Sequence, residues 1–333
     1  MTSRVGQDSP LGSDDRANSV AEESVLAEAA PVPHQTRFRR ATGNGTLAML
    51  ANRYALIAVW VLMGLLFLAI TPSKFGRVAS LQAIFGSQQV LVILCFSVLT
   101  TLLVGEFDLS FASVMGLGAT IVPVLAQLHH VNVFVSCLLA VLACAACGAL
   151  NAIFVVGLGV PSIVVTLGTG TLLVGIAELI SSSSTVSLNS KAFNNVSQYN
   201  ILGLPISFYY GIALAVLFAY VCGWTPIGRH MLFVGANREV ARLAGIRVNR
   251  IRAGSYIVAS VLAGLAGIIL ISSVGGYDPT ASSTFLLPTL AAVFLGTAVV
   301  QPGQFNPIGA MIGIYFLETG IFGLELLGYS GWI

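Results

Sequence analysis

Charge is scarce in this sequence. Only 8% of its 333 residues are charged, whereas soluble domains carry about 25%. Hydrophobic residues make up 56% of the chain, and the mean hydropathy is +0.91. This composition excludes an ordinary soluble domain and predicts an all-α, polytopic helical bundle in the lipid bilayer. The net charge of +2 gives no reason to expect a nucleic-acid partner.

Motifs for catalysis and for metal binding are also missing. Neither Lys74 nor Lys191 lies in a glycine-rich loop, so the chain has no P-loop for ATP. It has no His-Glu-x-x-His motif, no His/Cys set at metal-binding spacing and no nucleophile elbow. Cys144 and Cys147 form an isolated CxxC inside an apolar run, as is typical of small packing residues on one helix face. We predict no catalytic site, no metal site and no cofactor bound by this chain.

Apolar runs long enough to cross a membrane recur along most of the chain. About 20 residues are needed to span the hydrocarbon core. The sequence predicts nine spans: Tyr54–Ile70, Ile84–Val104, Leu109–Leu128, Val131–Leu158, Val160–Ile180, Ile206–Gly223, Ala253–Val274, Phe285–Val300 and Pro307–Leu327. The final Gly331-Trp332-Ile333 has no polar tail, which suggests that a tenth span is missing from this chain.

Arginines predict how the spans are oriented. Residues 1–45 are polar and are predicted to form a disordered tail, followed by a transmembrane domain over residues 46–333. Basic residues near span ends stay in the cytoplasm, and four of them precede the first span: Arg37, Arg39, Arg40 and Arg53. Six crossings then return the chain to the cytoplasm at residues 224–252, where six further arginines agree with that assignment.

The loop at residues 224–252 contains one short predicted helix, from Asn237 to Gly245. Asn237 is a suitable N-cap, Glu239 suits the first turn, and Gly245 is a suitable stop. At helical spacing one face carries Val240, Leu243 and Ala244. Two interpretations stay open on these residues: a docking helix for a cytoplasmic partner, or a helix held on the lipid surface by its arginines. The turn Gln301–Pro307 is predicted to lie on the same side.

Polar residues at the membrane edge form the second group of interest. Gly105 permits a backbone break before the third span, and Asp108 is predicted to cap that span or to meet a polar ligand. We expect Glu106 to face water.

A polar series follows in the fourth and fifth spans. Asn151 inside an apolar span needs a partner, and Thr166 and Thr169 lie on a small polar face of the next span. Close helix packing explains these residues, and so does the lining of a translocation path. Glu318 is mid-span, and a proton relay through it is the alternative hypothesis.

Three stretches in order resemble the ribose-type permeases of binding-protein-dependent ABC importers. The first is Gly105–Ser110 with Ser113-Val114-Met115, and the second is Gly148…Asn151 followed by Pro161 and Thr166–Thr169. The third is Ile227-Gly228-Arg229 followed by Gly235, Asn237, Ala241-Arg242-Leu243 and Gly245-Ile246. The family usually has Gly where this chain has Glu106 and Ala152, and many members have an acidic residue within Thr284–Ala291, where this chain has none.

The resemblance implies a permease subunit in the bacterial inner membrane that translocates a ribose- or xylose-like monosaccharide. It implies three partners: cytoplasmic ATPase subunits that bind ATP and Mg²⁺, a second permease copy and an extracytoplasmic sugar-binding protein. The coupling residues would be Gly235, Asn237, Glu239, Ala241, Arg242, Leu243, Gly245 and Ile246. Asp108, Ser110, Asn151, Thr166 and Thr169 would border the path. A proton-coupled secondary transporter of a small polar solute, through Glu318, is the alternative.

Overall fold

The computed structural model describes the backbone of residues 45–188 and 190–329, with side chains from Arg53 onwards. The described residues from Leu47 onwards belong to one compact unit. The predicted disordered tail, except for Gly45, and the terminal Gly331-Trp332-Ile333 lie outside the described residues.

Helices make up nearly all of the regular structure in this part of the chain. They are α1 (Gly45–Ile70), α2 (Pro72–Phe75), α3 (Val78–Gly86), α4 (Gln89–Leu102), α5 (Phe111–Pro123), α6 (Val133–Ala152), α7 (Ser162–Ile180), α8 (Lys191–Gln198), α9 (Ile206–Trp224), α10 (Pro226–Ala236), α11 (Arg238–Leu243), α12 (Val248–Val274), α13 (Leu286–Gly296) and α14 (Pro307–Leu326). One π-helical turn extends α5 and another extends α6, at Val124–Leu128 and Ile153–Gly157, and a 3₁₀ helix, Pro279–Phe285, precedes α13.

Four two-residue strands complete the described structure: β1 (Val186–Ser187), β2 (Asn200–Ile201), β3 (Leu204–Pro205) and β4 (Gly276–Tyr277). The strands β1 and β4 pair antiparallel with Val186 opposite Tyr277, and β2 and β3 form a small hairpin. The sequence did not predict these strands.

Nine helical segments among the described residues are long and apolar enough to cross a membrane, judged by length and composition. The prediction of a polytopic helical membrane protein is therefore confirmed. The second span is longer than predicted, because it begins at Val78 rather than Ile84. Polar Ser80 is accommodated in this longer span because its hydroxyl donates to the Lys74 carbonyl at 2.7 Å. The eighth span ends with α13 at Gly296, and the remaining predicted residues up to Val300 form a turn.

The helix α12 lies at the centre of the bundle and packs against α4, α5 and α6. Small side chains allow this close packing, as is usual between membrane helices. At Gly267 a β-carbon would collide with the backbone of Met115 and Ala119 in α5, so the two helices approach each other more closely than any larger residue permits.

Contacts between loops show which of them share an end of the bundle. Arg238 donates to the Gly105 carbonyl at 2.8 Å, and the Phe107 amide donates to Ser162 Oγ at 3.4 Å. The Val300 amide donates to the Arg53 carbonyl at 3.3 Å. Phe107 in the break also stacks on Phe294 near the end of α13. The first span near Arg53, the break between α4 and α5, the start of α7, the loop at residues 224–252 and the turn after α13 therefore lie at one end. The pairing of β1 with β4 is at the other end.

Candidate functional site

The helix α11 forms where the sequence predicts it, between the sixth and seventh spans. Asn237 caps it, because its Oδ1 accepts hydrogen bonds from the amides of Glu239 at 3.0 Å and Val240 at 3.1 Å. Gly245 follows with a φ of +79°, a left-handed conformation suited to ending a helix. The Ile246 amide then donates to the Ala241 carbonyl at 3.0 Å and closes the C-terminal end.

One face of α11 packs on the protein and the other has no covering within the described chain. Ala241 is fully buried, whereas Leu243 is 88% exposed and Val240 is 47% exposed. Arg242 and Glu239 form an exposed ion pair at 3.1 Å. The predicted apolar face therefore projects from the end of the bundle, with the Arg242–Glu239 ion pair beside it.

Glu106 does not face water, and the expectation that it does was wrong. Its side chain is only 4% exposed. Its Oε1 lies 2.8 Å from Arg238 Nη2 and 2.6 Å from Arg252 Nε, and its Oε2 accepts from the Tyr256 hydroxyl at 3.2 Å. Two elements supply these donors, because Arg238 begins α11 while Arg252 and Tyr256 lie one turn apart on α12. A buried carboxylate requires such partners, and here they come from far along the chain.

The backbone between α4 and α5 breaks where Gly105 predicts it, with a φ of +73°. The end of α10 closes on this break, since Gly235 lies so near that a β-carbon there would collide with the Leu103 carbonyl. Arg238 also donates a hydrogen bond to the Gly105 carbonyl at this contact. The loop at residues 224–252 and the break thus form one continuous contact.

A hydrogen-bonded polar junction follows the break, formed by Asp108, Ser110, Asn151 and Thr166. Asp108 Oδ1 accepts from the Ser110 amide at 2.9 Å and from its hydroxyl at 2.6 Å. Asn151 Nδ2 donates to Ser110 Oγ at 2.9 Å, and Thr166 Oγ1 accepts from the Leu109 amide at 3.1 Å. All four side chains belong to residues that are at most 2% exposed. The junction joins α5, α6 and α7.

The structure corrects the expected cap at Asp108. The helix α5 begins at Phe111, so Ser110 holds the capping position and Asp108 instead closes a turn two residues before it. Thr169 lies apart from the junction and donates back to the Val165 carbonyl at 3.0 Å, within its own helix. The back-bonded threonines and the buried network are features of close helix packing, while the bordering of a path stays a prediction.

Two oxygens of the junction have no hydrogen-bond partner among the described residues, namely Asp108 Oδ2 and Asn151 Oδ1. Burial raises the pKa of the Asp108 carboxyl above its ordinary value, and the two hydrogen bonds from Ser110 oppose that increase. The junction is therefore polar without being fully satisfied.

Glu318 borders a separate, apolar cavity of about 250 Å³ between α4, α13 and α14, lined by Leu91, Leu287, Pro288 and Ile314 among others. Within the described part of the chain, no group of three or more His, Cys, Asp or Glu residues is arranged to hold a metal ion.

Comparison with known proteins identifies the family. A family model described as "Branched-chain amino acid transport system / permease component" matches residues 80–321. The chain belongs to this permease family. The permease is 33% identical over 291 residues to the autoinducer 2 import system permease protein LsrC of Enterobacter sp. (strain 638), covering 85% of this chain and 82% of that one. It is 29% identical to the LsrC of Salmonella typhi over 84% of this chain and 81% of that one. No solved structure matches the permease.

These matches confirm the resemblance to sugar ABC importer permeases and support a multi-pass protein of the inner membrane. They leave the ribose- or xylose-like substrate unconfirmed, because the relatives are named for autoinducer 2 and the family for branched-chain amino acids. The proton-coupled alternative finds no support in them.

Proposed function

We propose that the permease is the membrane subunit of an ATP-driven importer and that α11 is the element to which a separate ATPase subunit binds. The observation that carries this proposal is the exposed apolar face of α11, with Leu243 88% exposed on a helix that is capped at both ends. A preorganised helix that presents an aliphatic anchor suits a groove on a protein partner. ATP and Mg²⁺ would be bound by that partner, and a second permease copy would complete the membrane part.

The distribution of the arginines favours docking over attachment to lipid. A helix held on the membrane surface needs cationic side chains that are free to reach headgroups. Arg238 and Arg252 are instead bound to Glu106, and Arg242 is bound to Glu239. Three of the loop's six arginines therefore form ion pairs within the described part of the chain, which leaves the other three for contact with headgroups. The basic character of the loop supports a cytoplasmic location for this end of the bundle.

Replacing Leu243 with Asp tests the docking role. The side chain is 88% exposed, so the fold should tolerate the change. A charge at the centre of the docking face should reduce co-purification of the co-expressed ATPase subunit more than tenfold, about 1.4 kcal/mol or more of binding free energy. The measurement is the amount of ATPase recovered with the tagged permease.

Leu202→Asp is the matched control, because Leu202 is 94% exposed on the β2–β3 hairpin at the other end of the bundle. It should recover as much ATPase as the unmodified chain. Wild-type recovery with Leu243→Asp would refute docking through α11.

The polar junction supports a path for a hydroxylated solute that passes beside it. We propose that Asp108, Ser110, Asn151, Thr166 and Thr169 border this path and that the four junction residues are closed off in this conformation. Separation of α5 from α6 would present Asp108 Oδ2 and Asn151 Oδ1, both without partners here, as acceptors for hydroxyl groups. A small number of such contacts suits transient passage, with selectivity residing in an extracytoplasmic binding protein.

The substrate class is best tested by uptake into cells that carry the complete transport system. We propose a small sugar-like solute, because acceptor oxygens and hydroxyls form the junction and because the relatives are named for autoinducer 2 import. Uptake of labelled ribose, xylose, autoinducer 2 and leucine is measured, each with and without an excess of the other three unlabelled. We expect one of the first three to be taken up. Uptake of leucine alone would overturn the sugar-like class while leaving the ATP-driven mechanism in place.

A further inference from the structure

We propose that Glu106 is a positioning residue that fastens α11 to the break between α4 and α5, so that displacement of α11 is carried into the polar junction. Its consequence for transport rests on the proposed function, whereas the anchoring itself is a property of this chain alone. The proposal is built on three observations: the contacts of the carboxylate, the charge balance around it, and the continuity of the chain segment that carries it.

The contacts converge on one side chain. Glu106 Oε1 receives Arg238 from the first residue of α11 and Arg252 from α12, and Glu106 Oε2 receives the Tyr256 hydroxyl. Arg238 simultaneously donates to the neighbouring Gly105 carbonyl at 2.8 Å. Both carboxylate oxygens are occupied, so α11 and α12 are tied through a single residue to the break.

The charge balance makes this attachment depend on Glu106. Two guanidinium groups meet one carboxylate, and the Arg252 side chain is only 15% exposed. In such a place water screens repulsion poorly. Without the carboxylate, two cations would face each other at the membrane edge. The Arg238 side chain is 39% exposed and can turn towards solvent. Because Arg238 is the first residue of α11, its displacement would detach α11 from the break.

The segment from Glu106 to Ser110 is held on its other side by α6 and α7. The Phe107 amide donates to Ser162 Oγ at 3.4 Å, and the Leu109 amide donates to Thr166 Oγ1 at 3.1 Å. Ser110 Oγ accepts from Asn151. A short non-helical segment bound at both edges transmits displacement instead of absorbing it. The anchored carboxylate is therefore connected, through hydrogen bonds and the backbone of residues 106–110, from α11 to α5, α6 and α7.

Hydrogen exchange of the permease in lipid nanodiscs, without any partner, tests the anchoring. In Glu106→Gln we expect the backbone amides of residues 238–246 to exchange more than tenfold faster than in the unmodified chain. Amides in the buried part of α4 should keep their protection, because the effect is confined to α11 and the break. A loss of protection throughout the spans would show a general folding role and overturn the proposal. Arg250→Gln, an exposed arginine of the same loop, is the control and should leave α11 within twofold of the unmodified protein.

A charge exchange separates anchoring from packing. Glu106→Arg alone places three guanidinium groups together and should release α11 or prevent folding. Combining it with Arg238→Glu restores one carboxylate between two cations, and protection of α11 should return to within about threefold of the unmodified chain. If Glu106→Gln leaves α11 within twofold, or if the double variant is no better than Glu106→Arg, the anchoring proposal fails.

The assembled importer gives the functional readout. Glu106→Gln should retain most of the ATPase in co-purification, because Leu243 is unchanged and only the ordering of α11 is weakened, and nucleotide hydrolysis should continue, while uptake falls more than tenfold. Normal uptake would overturn the role in transmission. Loss of ATPase binding in Leu243→Asp but not in Glu106→Gln keeps the two proposals distinguishable, because one concerns the docking face and the other its attachment.

Discussion

Replacing Asn151 with Asp is expected to destabilise the bundle by about 3–5 kcal/mol at neutral pH, the range for an uncompensated buried charge. Asn151 is fully buried, and its Nδ2 donates to Ser110 Oγ, which in turn donates to Asp108. The substitution removes that donor and adds a second carboxylate to a junction that already holds one. Unfolding in mixed detergent micelles, followed at pH 7 and pH 4, measures the effect, which should shrink at pH 4 because a carboxylic acid carries no charge.

Asn132→Asp is the matched control for this experiment. Asn132 is exposed at the start of α6, where its side chain accepts from the Phe134 amide at 2.9 Å. Aspartate accepts the same bond and suits the positive end of a helix, so stability should be unchanged or slightly higher. Equal effects at the two positions would show that the junction tolerates a second charge, and would contradict the expected cost of placing a carboxylate at residue 151.

Asp108→Asn is expected to make the protein more stable at neutral pH and about equally stable near pH 4. Burial raises the pKa of Asp108 in the folded state, so the folded protein binds the proton more tightly than the unfolded chain. The stability contributed by this group is therefore complete below the unfolded value, about 3.9, and is lost as pH rises through the folded value. Asparagine resembles the protonated acid in shape, so its variant should lack this slope. The difference should grow by about 1.4 kcal/mol for each pH unit between the two values.

Asp278→Asn provides a control of opposite sign. Hydrogen bonds from the Thr280 amide and hydroxyl lower the pKa of this exposed carboxylate, so its contribution is present above the unfolded value and is lost as pH falls. The measurement is the unfolding midpoint of the three proteins from pH 2 to pH 7, because the effect of Asp278 develops below about pH 4 and that of Asp108 develops above it. If the Asp108→Asn curve runs parallel to that of the unmodified chain, the buried carboxyl is not strained by its charge.

The parts of the structure that sequence reasoning predicted correctly depend on local properties. Apolar run length placed the nine spans, and the order Asn237, Glu239, Gly245 placed α11 within two residues of its observed end. The break at Gly105 was likewise predicted from one residue. Each of these signals acts within one or two turns of the chain, where residue preference and backbone conformation are directly related.

The burial and ion pairs of Glu106 were missed because its partners are distant in sequence. Arg238 is 132 residues away and Arg252 is 146 residues away, so no local pattern joins them. One signal was available: a carboxylate replaced the glycine usual in the family, and the same chain carries six arginines in one loop. Asp108, followed by Leu-Ser, was predicted to cap the third span or to meet a polar ligand, but the turn with Ser110 places the helix start at Phe111.

The first span is packed much less against the rest of the bundle than the other spans are, since only 6% of its apolar stretch is buried. Its attachment to α14 is narrow: Trp60 Nε1 donates to Thr319 Oγ1 at 2.9 Å, Met63 lies against Gly320, and Phe67 rests on Gly323. Lipid tails are as apolar as these side chains, so expulsion of water contributes little to holding the helices together inside a bilayer. The few contacts with α14 therefore supply most of what holds α1 to the bundle, whereas the lipid stabilises α1 as a helix whether or not it is attached.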